Sequence, residues 1–132
     1  MAARYTLSAG ERLKREQHIK ALFQTGKALS VFPVRLLWML APPDGAAASR
    51  AGFSAPKKKF RHATDRNRIK RLLREAWRLQ KPVLESAIPA GRQLHLFIMF
   101  TDKVLPSYDV VFAAVEKSIL KLQNELADAT PA

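Results

Sequence analysis

The chain contains no cysteine, which rules out both a disulfide framework and a thiolate metal site. Glycine is scarce, with five in 132 residues, while 48% of the residues are hydrophobic. That balance excludes a low-complexity basic tail and predicts an ordered domain with a core. The longest apolar stretches, around Val31–Ala41 and Leu94–Phe100, are too short and too interrupted to cross a bilayer. The first residues, MAARYTLSAGERLKREQ, lack the apolar run of a signal peptide. A soluble, cytoplasmic protein is expected. The acids are scattered singly, with no paired carboxylates to hold two nuclease metals, no Gly-rich phosphate loop and no GxSxG. His18, His62 and His95 lie far apart, and none has a metal-ligand spacing to a carboxylate. His95, inside an apolar run, reads as a structural histidine. These absences favour a binder over a stand-alone catalyst.

What is present is positive charge. Twenty-three Lys and Arg stand against eleven Asp and Glu, a net +12, which favours polyanionic partners. Between Lys57 and Lys81 lie eleven basic residues and only the acids Asp65 and Glu75, so that segment holds +9 of the total. The charge is a site rather than a background.

The length predicts a single domain over residues 1–132. EQHIKALFQTG places Ile19, Leu22 and Phe23 on one helical face, with Gly26 as a stop and Ser8 with Glu11 as a possible capping box. ALSVF and VRLLWML read as strands, and Pro33 between them marks an edge, a bend or a bulge. PPDGAAAS (Pro42–Ser49) reads as a loop. SRAGFSAPK alternates, with Ala51, Phe53 and Ala55 on one face and the small Gly52 and Ser54 on the other, leaving room against the sheet. QLHLFIMFT reads as a central buried strand. The basic helix between these last two strands predicts a parallel strand–helix–strand unit. After Pro106, Ser107 can cap a final helix bearing Phe112, Val115, Ile119, Leu122 and Leu126, a stripe expected to pack on the chain's own sheet.

In the basic helix, Ile69, Leu72, Leu73, Ala76 and Trp77 form one stripe at about 100° per residue. Asn67, Lys70, Arg71, Arg74 and Arg78 cluster opposite, with Arg66 and Arg68 flanking the first turn. Thr64 or Asp65 is the expected N-cap. A merely solvated basic face is the plain reading. Against it, neighbouring like charges repel by a few tenths of a kcal/mol per i,i+4 pair. A surface chosen only for stability would mix signs. A polyanion that neutralises the face explains it better. Lys57, Lys58 and Lys59, just ahead of the helix, suit phosphate.

KKKFRHATDRNRIKRLLREAWR following GFSAP resembles the signature of the bacterial ribonuclease P protein subunit, with its lysine pair and RNR-x-KR-x-x-RE. LKREQHIKALFQTGK resembles the N-terminal helix of that family, so the likeness spans about residues 8–126 and leaves short flexible ends. The resemblance implies an α+β fold, a single two-layer sandwich in the order αβββαβα. Its mixed four-stranded sheet would carry a left-handed βαβ crossover through the basic helix, where general rules favour a right-handed one. It implies that the catalyst is an RNA subunit using Mg²⁺ to remove the 5′ leader of precursor tRNA. The protein would bind that RNA and the leader, with no active site, metal or membrane contact of its own and no DNA partner. By position, Arg66, Asn67, Arg68, Lys70, Arg71 and Arg74 would face the catalytic RNA, supported by Lys57 and Lys58. Phe23, Ile19, Leu37 and Ser54 would line the leader cleft. Ile19 stands where the family commonly has phenylalanine and Leu37 where an aromatic is frequent, so stacking is reduced. The run between the lysines and RNR is one residue longer than usual, which leaves Lys59 and Arg61 unassigned. A ribosomal or general RNA-binding protein is the main rival, since it would share the charge.

Overall fold

The computed structural model describes residues 12, 13 and 16–129, so the Ser8–Glu11 capping box and the chain ends lie outside the described residues. The elements are α1 (Glu16–Thr25), β1 (Lys27–Val31), β2 (Val34–Ala41), β3 (Ser49–Ser54), α2 (Ala63–Glu85), β4 (Gln93–Phe100) and α3 (Tyr108–Ala129). Their order is the expected αβββαβα. The strands form one mixed sheet in the order β1-β2-β4-β3. β4 is antiparallel to β2 and parallel to β3, with α2 as the connection between the parallel pair.

Helices α2 and α3 cover one face of this sheet and make its main core. α2 contributes Ile69, Leu73, Ala76 and Trp77, all at 0% exposure, with Leu72 half-buried beside them. α3 contributes Val115, Ile119, Leu122 and Leu126 as its spacing predicts, together with Val111 and Ala114. This stripe seats on the chain's own sheet and on α2, and Phe112 packs half-buried at its edge. The Ser107 hydroxyl accepts the Val110 N–H at 3.4 Å, the cap expected there.

The N-cap of α2 is His62, with extended backbone and no side-chain cap bond, rather than Thr64 or Asp65. The N–H groups of Asp65 and Arg66 both donate to the His62 carbonyl at 3.2 Å. Asp65 therefore lies inside the first turn, where its charge suits the helix dipole.

β2 shows why alternation matters. Val34, Leu36 and Trp38 are buried on the helix side, whereas Arg35, Leu37 and Met39 take the opposite face. Trp38 is core, and its indole N–H donates to Glu125 on α3 at 2.8 Å. Pairing of Val31 with Val34 leaves Phe32 and Pro33 as a two-residue turn with a cis peptide bond. β1 is an edge strand, and its proline neighbour disturbs no ladder bond.

Among the described residues, the other face of the sheet is only partly covered. α1 packs there through Leu22, which joins Leu13 and Leu37 in a second cluster with Ile19, Met39, Phe97 and Met99 at its margin. Gly26 ends α1 as expected, but not through a left-handed conformation, since only Gly45 and Gly91 have positive φ among the described residues. The reason is close approach. A Cβ on Gly26 would lie 2.4 Å from the Leu22 carbonyl oxygen, to which the Gly26 N–H donates at 2.9 Å.

Candidate nucleic-acid interface

Two surfaces meet at the turn between β3 and α2. The first is the exposed face of α2. Asn67, Arg68 and Arg71 are exposed there, Lys70 is half-exposed, and Lys57 and Lys58 are exposed in the preceding turn. That turn is anchored by Phe60, which is 6% exposed and packs 6.0 Å from the Phe100 ring. The N–H groups of Lys59 and Phe60 also return to the Pro56 carbonyl. Lys57, Lys58, Arg68, Lys70 and Arg71 have no side-chain partner among the described residues. Their charge is therefore unspent.

The remaining cations of the face are engaged. Arg66 donates from Nη1 to the carbonyls of Phe60 at 2.7 Å and Arg61 at 3.0 Å, tying the helix start to the lysine turn. The Arg74 guanidinium lies over the Phe53 ring at 5.8 Å. Arg78 grips Glu75 with both its Nε and Nη2. That guanidinium holds the Glu75 carboxyl below its usual range, against the opposing pull of desolvation. Of the sequence-assigned face, Asn67, Arg68, Lys70 and Arg71 thus point to solvent uncommitted, while Arg66 and Arg74 are partly structural.

The second surface is a cleft of about 500 Å³ on the α1 side of the sheet, lined by Phe23, Arg35, Leu37, Ser54, Pro56, Lys59, Met99, Phe100 and Thr101. Phe23 stands at its mouth, 54% exposed, with its ring edge-on to Phe97 at 5.5 Å. Leu37 forms part of the floor at 6% exposure. Of the four residues assigned to a cleft, three therefore converge on it, namely Phe23, Leu37 and Ser54. Ile19 does not line it and instead packs against the Leu13–Leu22–Leu37 cluster. Gly52 does not leave open room either. The Phe97 ring fills the space, 2.7 Å from where a Cβ would stand.

Arg35, Lys59, Met99 and Thr101 line the cleft without having been assigned to it. The signal for Arg35 was legible, because it lies two residues before Leu37 on the same strand and hence on the same face. Lys59 is recognisable only once its ammonium is seen to donate to the Thr101 carbonyl across the cleft.

A polar cluster closes the far end of this sheet face. The His18 ring on α1 lies 4.8 Å from that of His95 on β4, and His18 Nε2 is 3.6 Å from the Asp44 carboxylate. Gln93 donates its amide to the carbonyls of Asp44 and Ala47, so its Oε1 accepts the Nε2–H of His95 at 2.7 Å. Burial pushes His95 down to about 4, and His18 and Arg50 add to that effect. His95 is structural, as its strand suggested, but its contact with His18 is visible only in the fold. Among the described residues, no three His, Asp or Glu side chains converge as a metal site. No helix among them is long and apolar enough to cross a membrane.

Known proteins share this sequence and fold. The ribonuclease P protein component of Porphyromonas gingivalis is 38% identical over 126 residues, 94% of this chain and 91% of that protein. The component from Brevibacillus brevis is 41% identical over 113 residues, 86% and 80% of the two chains. The structure of the RNase P protein from Thermotoga maritima shares the fold with a TM-score of 0.65 at 24% identity, covering 84% of this chain and 96% of that one. Residues 7–128 match the family described as Ribonuclease P. A match that runs through α1, the cleft strands, the basic helix and α3 alike makes this chain a member of the ribonuclease P protein family.

Proposed function

We propose that the chain is the protein subunit of a cytoplasmic ribonuclease P, binding the catalytic RNA on α2 and the 5′ leader of precursor tRNA in the cleft. The observation that carries this reading is the continuity of the two surfaces. β3 ends at Ser54 in the cleft, Pro56 and Lys59 line the cleft rim, and α2 begins at Ala63. Eight residues therefore join the leader floor to the cationic face. An RNA seated on Asn67, Arg68, Lys70 and Arg71, with Lys57 and Lys58 beside it, brings its own substrate's 5′ extension to the cleft mouth.

The chemistry of each surface suits that division. Unpaired cations on one helix face supply sequence-independent, salt-dependent attraction to phosphates. The cleft offers Phe23 as a stacking ring and few hydrogen-bonding readers, as a leader of variable sequence requires. Arg66 acts by holding the lysine turn against the helix start and Arg74 by bracing on Phe53, so both shape the face that the RNA meets.

The family implies Mg²⁺. This chain's own described donors do not fit a Mg²⁺ site, because no three carboxylate or imidazole groups converge. On this reading the ion is held mainly by the RNA, which performs hydrolysis of the leader phosphodiester, while the protein positions and neutralises.

The experiment is cleavage of a 5′-extended precursor tRNA by a bacterial ribonuclease P RNA at low Mg²⁺, with and without the protein. Cleavage at the mature 5′ end that requires both components supports the reading. No stimulation, with the RNA alone active at high Mg²⁺, would return the chain to the general RNA-binding class.

A further inference from the structure

Arg35 is a cation lining the cleft, and among the described residues nothing neutralises it. It lies on β2 opposite Met99 of β4, and Met99 in turn lies opposite Ser54 of β3. These three residues form one row across the sheet. The next row, Leu37, Phe97 and Gly52, lies nearer α1: Leu37 is buried in the α1 cluster, and the Phe97 ring closes over Gly52. Arg35 remains exposed, and its guanidinium has no hydrogen bond or ion pair among the described residues. Among the described residues no acid lines the cleft, and a second cation there, Lys59, is tethered to the Thr101 carbonyl.

A solvated arginine near the end of a strand needs no ligand, and the stem of Arg35 can lie over Met99 for packing alone. Two features point further. The side chain lines the same cleft as the exposed ring of Phe23 and shares a cross-strand row with Ser54. The positions that could offer further rings are aliphatic here, since Ile19 is half-buried against the Leu13–Leu22–Leu37 cluster and Leu37 is a 6%-exposed floor. A single-stranded strand in this cleft meets one accessible ring and one fork-shaped donor.

Building on the leader-binding reading, we propose that Arg35 is the specificity-determining residue of the cleft. Its guanidinium engages one backbone phosphate of the leader while Phe23 takes an adjoining base. The planar fork suits the phosphate bidentately, whereas a lysine would offer only a point charge. In this chain the leader is thus recognised by backbone charge together with a single stacking ring.

The test uses the full chain assembled with ribonuclease P RNA, and the variants Arg35→Ala and Arg35→Lys. Binding is measured for precursor tRNA and for mature tRNA over a range of salt. Each leader linkage in turn is then replaced by a neutral methylphosphonate. Arg35→Ala should weaken precursor binding roughly tenfold, leave mature tRNA binding unchanged and lower the salt slope by about 0.7. Arg35→Lys should retain the slope and recover only part of the affinity. At one leader linkage the methylphosphonate should weaken binding to the unmodified protein and cost nothing more in Arg35→Ala. Equal losses for precursor and mature tRNA, or independent losses at every linkage, overturn the role of Arg35. If the unmodified protein itself fails to favour precursor over mature tRNA, the leader-binding reading falls and this inference falls with it. Retention of that preference in Arg35→Ala removes Arg35 alone.

Discussion

The imidazole of His18 on α1 rests 4.8 Å from the imidazole of His95 on β4. The contact joins the helix that walls the cleft to the central strand of the sheet. His95 is 3% exposed and faces His18 from α1, Arg50 from β3, Asp44 from the β2–β3 loop and Met39 from β2. Burial, then the neighbouring His18 and Arg50, depress it to about 4, with Asp44 opposing. A histidine depressed on folding binds its proton more readily when unfolded. The stability tied to its neutral form is therefore complete above about pH 6.5, and falls as pH drops from there towards 4. The loss from this one group is at most about 3 kcal/mol. Urea unfolding at pH 7 and pH 4.5 should show a smaller acid loss for His95→Leu than for the unmodified chain. Equal losses would mean that His95 is not the acid-sensitive contact.

Gly26 tests the close approach that ends α1. Its missing Cβ would press on the Leu22 carbonyl at 2.4 Å and on the Leu22 side chain at 2.9 Å. The carbonyl is backbone and cannot rotate away, so Gly26→Ala should destabilise by about 2 kcal/mol or more. The usual helix C-cap glycine fails for a different reason, its positive φ, which Gly26 does not have. A thermal midpoint unchanged in Gly26→Ala would contradict the packing described for the α1–β1 junction.

Arg66 and Arg71 should separate in their effects although both sit on the cationic face. Arg66 carries two bonds to loop carbonyls, so Arg66→Ala should lower stability by about 1–2 kcal/mol besides weakening catalytic-RNA binding. Arg71 is exposed and without a partner among the described residues. Arg71→Ala should weaken RNA binding and leave the thermal midpoint within about 0.5 kcal/mol of the parent. Paired unfolding and RNA-binding measurements on the two variants decide whether the face is divided this way.

Phe23 should matter to precursor rather than mature tRNA. Its ring is 54% exposed and held edge-on by Phe97, so truncation removes a stacking platform at small cost to the fold. Phe23→Ala should reduce the preference for precursor by about 1–3 kcal/mol. An unchanged ratio of precursor to mature affinity would take Phe23 out of the cleft.

Much of the architecture is local in origin and was therefore legible. The stripe of α2 follows from helical period alone, and Ile69, Leu73, Ala76 and Trp77 are buried as that period requires. The Ser107 cap and the α3 stripe rest on neighbours three and four residues apart. The N-cap of α2 was placed two or three residues late because His62 caps through its backbone carbonyl, which leaves no side-chain signature.

The site was legible only in part. The cationic face could be read from spacing, but not that Arg66 spends its charge on the Phe60 and Arg61 carbonyls or that Arg74 lies over Phe53. Small residues at Gly52 and Ser54 suggested room against the sheet, yet an aromatic ring from the adjacent strand occupies the first and leaves only the second open.

By itself the sequence determined the charge, its concentration between Lys57 and Lys81, the element order and the faces of α2 and β2. Each depends on composition or on residues within one or two turns. Only the tertiary structure decided the cross-strand row of Arg35, Met99 and Ser54, the packing of Ile19 against the Leu13–Leu22–Leu37 cluster and the His18–His95 contact. Those relationships join residues 19 to 77 positions apart or turn on which neighbour fills a gap, and strand register and packing alone fix them.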